Sequence, residues 1–139
     1  MKDIVLRGAL AFTLISFSGC LLDEEDPPEC TPTPSTCKHS RPHEADLTIR
    51  VSSPLPEVVS IYAGTSYETG RLVWSGTPKG KQWSERLPLD DYSVTATYKR
   101  GSKTIIAVDG DYLDYESEET CDGSCYDEVD GAVNLELVD

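Results

Sequence analysis

The chain has 139 residues with 12 basic and 25 acidic side chains, which gives a formal net charge of −13. This acidic balance argues against a nucleic-acid-binding protein and against direct adhesion to anionic lipid, because both need clustered Lys and Arg. The length allows a signal sequence and one domain with a modest core.

Residues 1–19 have the features of a signal peptide. Lys2 and Arg7 form a basic start, and the following run from Gly8 to Phe17 carries no charge. A run of this length matches a signal sequence and is too short to cross a bilayer as a helix. We therefore predict that residues 1–19 are removed and that the rest of the chain is exported.

The end of this segment, Leu14–Cys20, reads Leu-Ile-Ser-Phe-Ser-Gly-Cys and resembles the lipobox of bacterial lipoproteins. The resemblance implies cleavage before Cys20, lipidation of Cys20 and anchoring in a membrane by acyl chains. Leu21 is not the aspartate that retains lipoproteins in the inner membrane of enterobacteria, which points to the outer membrane, with a periplasmic or surface-facing domain. An ordinary secretory signal is the alternative.

Residues 20–45 are predicted to form a disordered tether. The segment is rich in proline, threonine, serine and acidic residues, and it has almost no apolar side chain after Leu22. Such a composition favours an extended chain that cannot bury a core. Cys30 and Cys37 interrupt it.

Residues 46–139 are predicted to form one β-sandwich domain. Apolar residues alternate with polar ones, turn signals recur at short intervals, and no helical period is present. Seven strands are expected, at 47–51, 58–63, 71–74, 81–87, 92–99, 104–108 and 132–138. The 104–108 strand is apolar on both faces, as expected of a strand covered on both sides. The pattern predicts a single seven-stranded antiparallel sandwich.

The stretch Leu87–Tyr98 resembles a strand of the carboxypeptidase-regulatory-like and other transthyretin-like sandwich domains of bacterial envelope proteins. The resemblance implies a scaffold and does not specify a function, because such scaffolds carry unrelated activities. It also implies that Tyr92 is a corner tyrosine whose hydroxyl bonds backbone.

Four cysteines remain besides Cys20, in a compartment where thiols oxidise. The short spacings favour disulfides between Cys30 and Cys37 and between Cys121 and Cys125, the latter around an Asp-Gly turn. The rival pairing links the tether to the C-terminal loop.

Residues 109–130 are predicted to form an acidic loop. Twelve acids and no Lys or Arg lie between Asp109 and the C-terminus. Carboxylates of such a loop are hard oxygen ligands of the kind that Ca²⁺ takes. The candidate ligands are Asp109, Asp111, Asp114 and Glu116. A solvated acidic loop is the alternative.

Three tyrosines in this segment, Tyr112, Tyr115 and Tyr126, are the candidate contact residues of a partner surface. The alternative is that they pack the loop on the sheet.

No catalytic residue is predicted, because both histidines lie in the tether and the cysteines are expected to be bonded. The sequence thus predicts a membrane-anchored envelope lipoprotein with a structural or protein-interaction role. The alternative is a calcium-dependent or carbohydrate-binding module, and the expected partners are an envelope protein or a glycan.

Overall fold

Nine β-strands form the fold, and no helix occurs in residues 29–138, the range that the computed structural model describes. The predicted signal peptide, Cys20 and the first part of the predicted tether lie outside this range. The strands are β1 (Glu44–Val51), β2 (Val58–Ala63), β3 (Arg71–Gly76), β4 (Gln82–Pro88), β5 (Asp91–Arg100), β6 (Lys103–Tyr112), β7 (Asp114–Thr120), β8 (Gly123–Val129) and β9 (Gly131–Leu135). The all-β prediction is confirmed, with nine strands in place of seven.

The two larger sheets pack face to face around the core. One sheet has the order β4-β1-β9 and the other the order β3-β2-β5-β6. Because side chains alternate along a strand, each sheet supplies one apolar face. The largest fully buried side chains are Tyr98, Leu47, Ile49, Ile61, Leu135, Val51, Val59, Val94 and Val133. β1 pairs antiparallel with β4 and parallel with β9, so the sandwich is not wholly antiparallel as predicted.

β5 is one of the two central strands of the four-stranded sheet, and β6 is an edge strand. The prediction that the 104–108 strand is covered on both sides is wrong. Ala107 faces the core, but Ile106 and Val108 on the other face are 56% and 48% exposed. The two apolar faces therefore do not have the same environment, and the outer one is open to solvent.

The predicted acidic loop is also wrong, because residues 109–130 complete β6 and form the β7–β8 hairpin. The hairpin turns at Cys121-Asp122, and Gly123 has a φ of +119° that L side chains rarely adopt. β7 lacks an apolar face, so backbone pairing, disulfides and polar contacts hold the hairpin in place.

Two long-range disulfides attach the N-terminal segment to this hairpin. Cys30 bonds Cys121 and Cys37 bonds Cys125, each with a Cα–Cα distance of 5.1 Å. All four cysteines are bonded as expected, but the favoured local pairing is wrong and the rival is correct. Cys121 and Cys125 both lie on the side of the hairpin that faces the N-terminal segment. The Cys121 N–H donates to the Thr31 carbonyl at 3.0 Å.

Two tyrosine hydroxyls tie the sandwich together. Tyr92 donates to the Pro88 carbonyl at 2.7 Å, which confirms its predicted role as a corner tyrosine. Burial, and then the nearby Asp90 carboxylate, raise the pKa of the Tyr92 hydroxyl. Tyr98 accepts from the Ser52 N–H and donates to the Leu135 carbonyl, both at 2.9 Å. Its hydroxyl thus connects the two sheets.

Candidate functional site

The first two calcium candidates are engaged with backbone. Asp109 accepts from the Asn134 N–H at 2.7 Å, and Asp111 accepts from the Ala132 N–H at 2.8 Å. Both N–H groups belong to β9, one of the two edge strands of the three-stranded sheet. The two carboxylates therefore occupy the place of a neighbouring strand and close the gap between the sheets.

The other two candidates lie on the hairpin. Asp114 accepts from the Tyr115 N–H at 2.8 Å, and Glu116 lies opposite Asp127 in the β7–β8 register. Within residues 29–138, no three His, Cys, Asp or Glu side chains are grouped so that they could hold a metal ion. The structure does not bring the predicted calcium ligands together.

Two of the three candidate tyrosines form a packed cluster. The rings of Tyr115 and Tyr126 lie edge to face with their centroids 5.8 Å apart. The Arg41 guanidinium lies 4.4 Å from the Tyr115 ring centroid and also donates to its hydroxyl. The Tyr126 N–H donates to the Lys38 carbonyl at 2.9 Å. These tyrosines hold the N-terminal segment on the hairpin.

An ion-pair network joins the hairpin to the three-stranded sheet. Arg86 on β4 makes two hydrogen bonds to Glu128 on β8, at 2.8 and 2.9 Å, and Lys38 lies 3.5 Å from the same carboxylate. The Arg86 hydrogen bonds, with its charge and that of Lys38, lower the pKa of Glu128 to about 2. The same pairing raises the pKa of Arg86. This network holds the hairpin on the three-stranded sheet and neutralises the Glu128 carboxylate.

Tyr112 differs from the other two tyrosines, because its side chain is 55% exposed. It stands at the end of β6, on the side of the four-stranded sheet that points away from the core, which we call the outer face. The register assigns alternate residues of each strand to this face. Its central residues are Leu72, Tyr62, Ser60, Val58, Thr97, Thr95, Ser93, Ile106, Val108, Gly110 and Tyr112.

The outer face carries no charged side chain between Asp91 at one end of β5 and Lys99 at the other. Leu72 is 54% exposed, and Ile106 and Val108 are exposed to a similar degree. Small hydroxyl side chains separate the apolar ones. Ser60 bonds Ser75, which lies opposite it on β3, at 2.9 Å. In a protein with a net charge of −13, an uncharged apolar face of this kind is typical of a binding surface.

One end of the outer face is hollowed into a groove. Two adjoining cavities of about 280 and 290 Å³ share Thr65 and Gly110 in their walls. Thr65 belongs to the loop between β2 and β3, whose start is fixed by a bond of 2.7 Å from the Gly64 N–H to the Asp91 carbonyl. The groove extends from Tyr67 on one side, past Ser93, to Tyr112 on the other.

Ser93 lies at the floor of this groove and is 3% exposed. Its Oγ has no hydrogen-bond partner within the described part of the chain. A buried hydroxyl without a partner costs roughly 1–3 kcal/mol. The protein therefore retains a destabilising polar group at the floor of the groove.

Sequence reasoning found Tyr112 but missed the rest of this face. The exposure of Ile106 and Val108 follows from the edge position of β6, which no local pattern reports. A strand that is apolar on both faces can also be an edge strand whose outer face is a binding surface. The apolar residues at 104–108 were therefore the one sequence feature that could have indicated this face. Ser93, Thr65 and Tyr67 come together only through sheet register and loop placement.

The chain matches no family model, no curated protein and no solved structure. No helix within residues 29–138 has the length and apolar character needed to span a bilayer.

Proposed function

We propose that the protein is a lipid-anchored component of the bacterial cell envelope whose sandwich domain binds a partner protein through the outer face of the four-stranded sheet. The observation that supports this proposal best is the cluster of exposed apolar side chains on an uncharged face. Leu72, Ile106 and Val108 are each about half exposed there.

The lipid anchor rests on the lipobox that ends at Cys20. Two long-range disulfides fit this location, because such bonds persist outside the cytosol. Two or three acyl chains would hold the protein firmly on a membrane, because one chain alone binds only marginally. Position 21 is Leu and not Asp, which favours the outer membrane.

The chemistry of the partner follows from charge. The molecule has a net charge of −13, so a partner whose contact surface is acidic would be repelled. The complementary surface is therefore apolar at its centre and neutral or basic at its rim. Nucleic acid and anionic lipid remain excluded on the same grounds.

The anchor is tested by Cys20→Ala. We expect the parent to enter the membrane fraction and to incorporate a labelled fatty acid, and the variant to lose both properties. A variant that partitions with the membrane as fully as the parent would contradict the lipid anchor while leaving the contact surface untested by that experiment.

The contact surface is tested by placing a photo-crosslinking amino acid at position 106 in growing cells. The matched control is position 84 on β4, which is exposed on the other sheet. We expect a discrete adduct from position 106, none from position 84, and loss of the adduct when Leu72→Lys adds a charge to the face. Equal adducts from both positions would refute this surface.

A further inference from the structure

The groove at the end of the outer face is formed by a residue without a side chain and a hydroxyl without a partner. Gly110 lies directly opposite Ser93 in the β5–β6 register. A Cβ at position 110 would lie 2.9 Å from the Tyr92 carbonyl oxygen, so this position tolerates no side chain. The gap above the floor is therefore fixed by the backbone.

The walls of the groove are aromatic and hydroxylated. Tyr67 and Tyr112 stand at its two sides, with 37% and 55% of their surface exposed, and Thr65 lies between them. Tyrosine rings offer flat apolar surface with a polar edge. Serine and threonine hydroxyls both donate and accept hydrogen bonds. This combination suits a ligand that has hydroxyl groups on its edges and C–H groups on its faces.

The charges around the groove limit the ligand further. Asp91, Asp109 and Asp111 line the two cavities, and no Lys or Arg is among the lining residues. The carboxylates of Asp109 and Asp111 are turned to β9, so the carboxylate that these lining residues place on the outer face is that of Asp91. Anions are therefore repelled from the groove. A phosphate, a sulfated glycan or a nucleotide does not fit this environment, whereas an uncharged ligand does.

We propose that this groove binds a neutral sugar residue of a glycan. A sugar hydroxyl seated on the floor bonds the Ser93 Oγ and supplies the partner that this buried group lacks. The Tyr67 and Tyr112 rings contact the C–H faces of the sugar. The groove adjoins the protein contact proposed above and shares Val108 with it. The two proposals are tested on different residues, Ser93 for the sugar and Leu72 and Ile106 for the protein contact, so either can fail without the other.

The test uses the full-length protein in a zwitterionic detergent, since glucoside detergents would compete for the groove. Cellotetraose, maltotetraose and chitotetraose are titrated by calorimetry into the parent and into Ser93→Ala. We expect saturable binding of at least one of the three by the parent, weakened about tenfold in the variant by loss of one hydrogen bond.

Thermal unfolding without sugar is the second measurement. Ser93→Ala removes a buried hydroxyl that has no partner, so we expect its midpoint to equal or exceed that of the parent. A lower midpoint would mean that the Oγ has a structural bond within the protein and would overturn the argument. The Ser84→Ala variant removes a hydroxyl that bonds Thr48 Oγ1 on the other sheet, and it should leave sugar binding unchanged.

Three results refute the proposal. One is the absence of saturable binding of all three oligosaccharides up to millimolar concentration. Another is equal affinity of the parent and Ser93→Ala. The third is tighter binding of a sulfated glycan than of any neutral one, because the acidic lining excludes it.

Discussion

Two tyrosine hydroxyls stabilise this sandwich through hydrogen bonds to backbone groups. The Tyr98 hydroxyl is buried between the sheets and has a backbone partner in each direction, Ser52 and Leu135. The Tyr92 hydroxyl has one partner, the Pro88 carbonyl. Removing either hydroxyl leaves its backbone partners unpaired, and each buried unpaired group destabilises the fold. The Tyr98 hydroxyl has two such partners and the Tyr92 hydroxyl has one, so we expect the Tyr98 hydroxyl to contribute more to stability.

We predict that Tyr98→Phe lowers the free energy of unfolding by about 2–3 kcal/mol and Tyr92→Phe by about 1 kcal/mol. Both substitutions keep the ring and its packing, so the difference isolates the hydroxyls. Urea unfolding followed by tryptophan fluorescence measures both variants. A larger loss for Tyr92→Phe would contradict the ranking.

The Glu128 carboxylate predicts how stability depends on pH. Its pKa falls to about 2 in the folded protein because Arg86 bonds its charged form. A carboxylate with a lowered pKa contributes stability above its unfolded pKa of about 4.3, and this contribution is lost as the pH falls towards 2. We therefore expect Glu128→Gln to be less stable than the parent at pH 7, with the difference shrinking below pH 4.

Chemical unfolding of the parent and Glu128→Gln at several pH values measures this effect. The control is Glu68→Gln, on the loop between β2 and β3, whose carboxylate is in no ion pair among residues 29–138. If the gap between the parent and Glu128→Gln stayed constant from pH 7 to pH 2, the Arg86 pairing would not be the cause.

Among the elements, β6 and β9 are linked by hydrogen bonds from backbone to side chain and not by strand pairing. Both are edge strands, and two side chains of β6 satisfy backbone groups of β9. The acids that the sequence offered as calcium ligands thus serve as acceptors for an edge. The two carboxylates accept from backbone N–H groups of both β6 and β9, so these groups are not free to pair with a strand of another chain.

We predict that Asp109→Ala lowers the free energy of unfolding by about 1–2 kcal/mol, since the Asn134 N–H loses its acceptor. Asp109→Asn keeps an acceptor oxygen and should lose less. Hydrogen exchange at Asn134 reports the bond directly, and we expect faster exchange in the alanine variant. Unchanged exchange there would show that the contact does not hold β9.

Strands with a regular alternation were predicted well, and the others were not. β1, β2, β5 and β9 bury one apolar face each, so their local pattern was enough. The β7–β8 hairpin was missed because its residues are mainly acidic and have no buried face to mark them. The Asp122-Gly123 pair was its only local hairpin signal.

At the scale of the whole molecule, the sequence did not allow us to predict which distant residues pair with each other. The disulfide pairing was wrong because spacing along the chain reports only local partners, whereas the true partners are 91 and 88 residues apart. The outer face and its groove were missed for the same reason, since strand order decides which face is open. Local chemistry and fold class were accessible, and the arrangement of strands was not.

The two disulfides should not act independently. Either one closes a loop of about 90 residues, but once it has formed, the other closes a ring of only about a dozen. We predict that replacing one cysteine pair by serine costs about 3 kcal/mol and that replacing both costs about 7 kcal/mol, more than the two single losses combined.

Urea unfolding of Cys30→Ser/Cys121→Ser, of Cys37→Ser/Cys125→Ser and of the fourfold variant measures these losses. Reduction of the parent should reproduce the fourfold variant. If the variant that lacks all four cysteines lost less stability than the two double variants combined, the proposed coupling between the two disulfides would be wrong.

The attachment of Cys30 to Cys121 also decides how the domain resists tension. A pull on the chain from its N-terminal side arrives at Cys30 and passes through a covalent bond into the tip of the hairpin, so β1 is not the first part to bear the load. Without the two disulfides, the same pull would detach residues 31–43 and then separate β1 from β4 and β9 at the centre of its sheet. A protein held at one end and gripped on its outer face would keep its core intact under stretching.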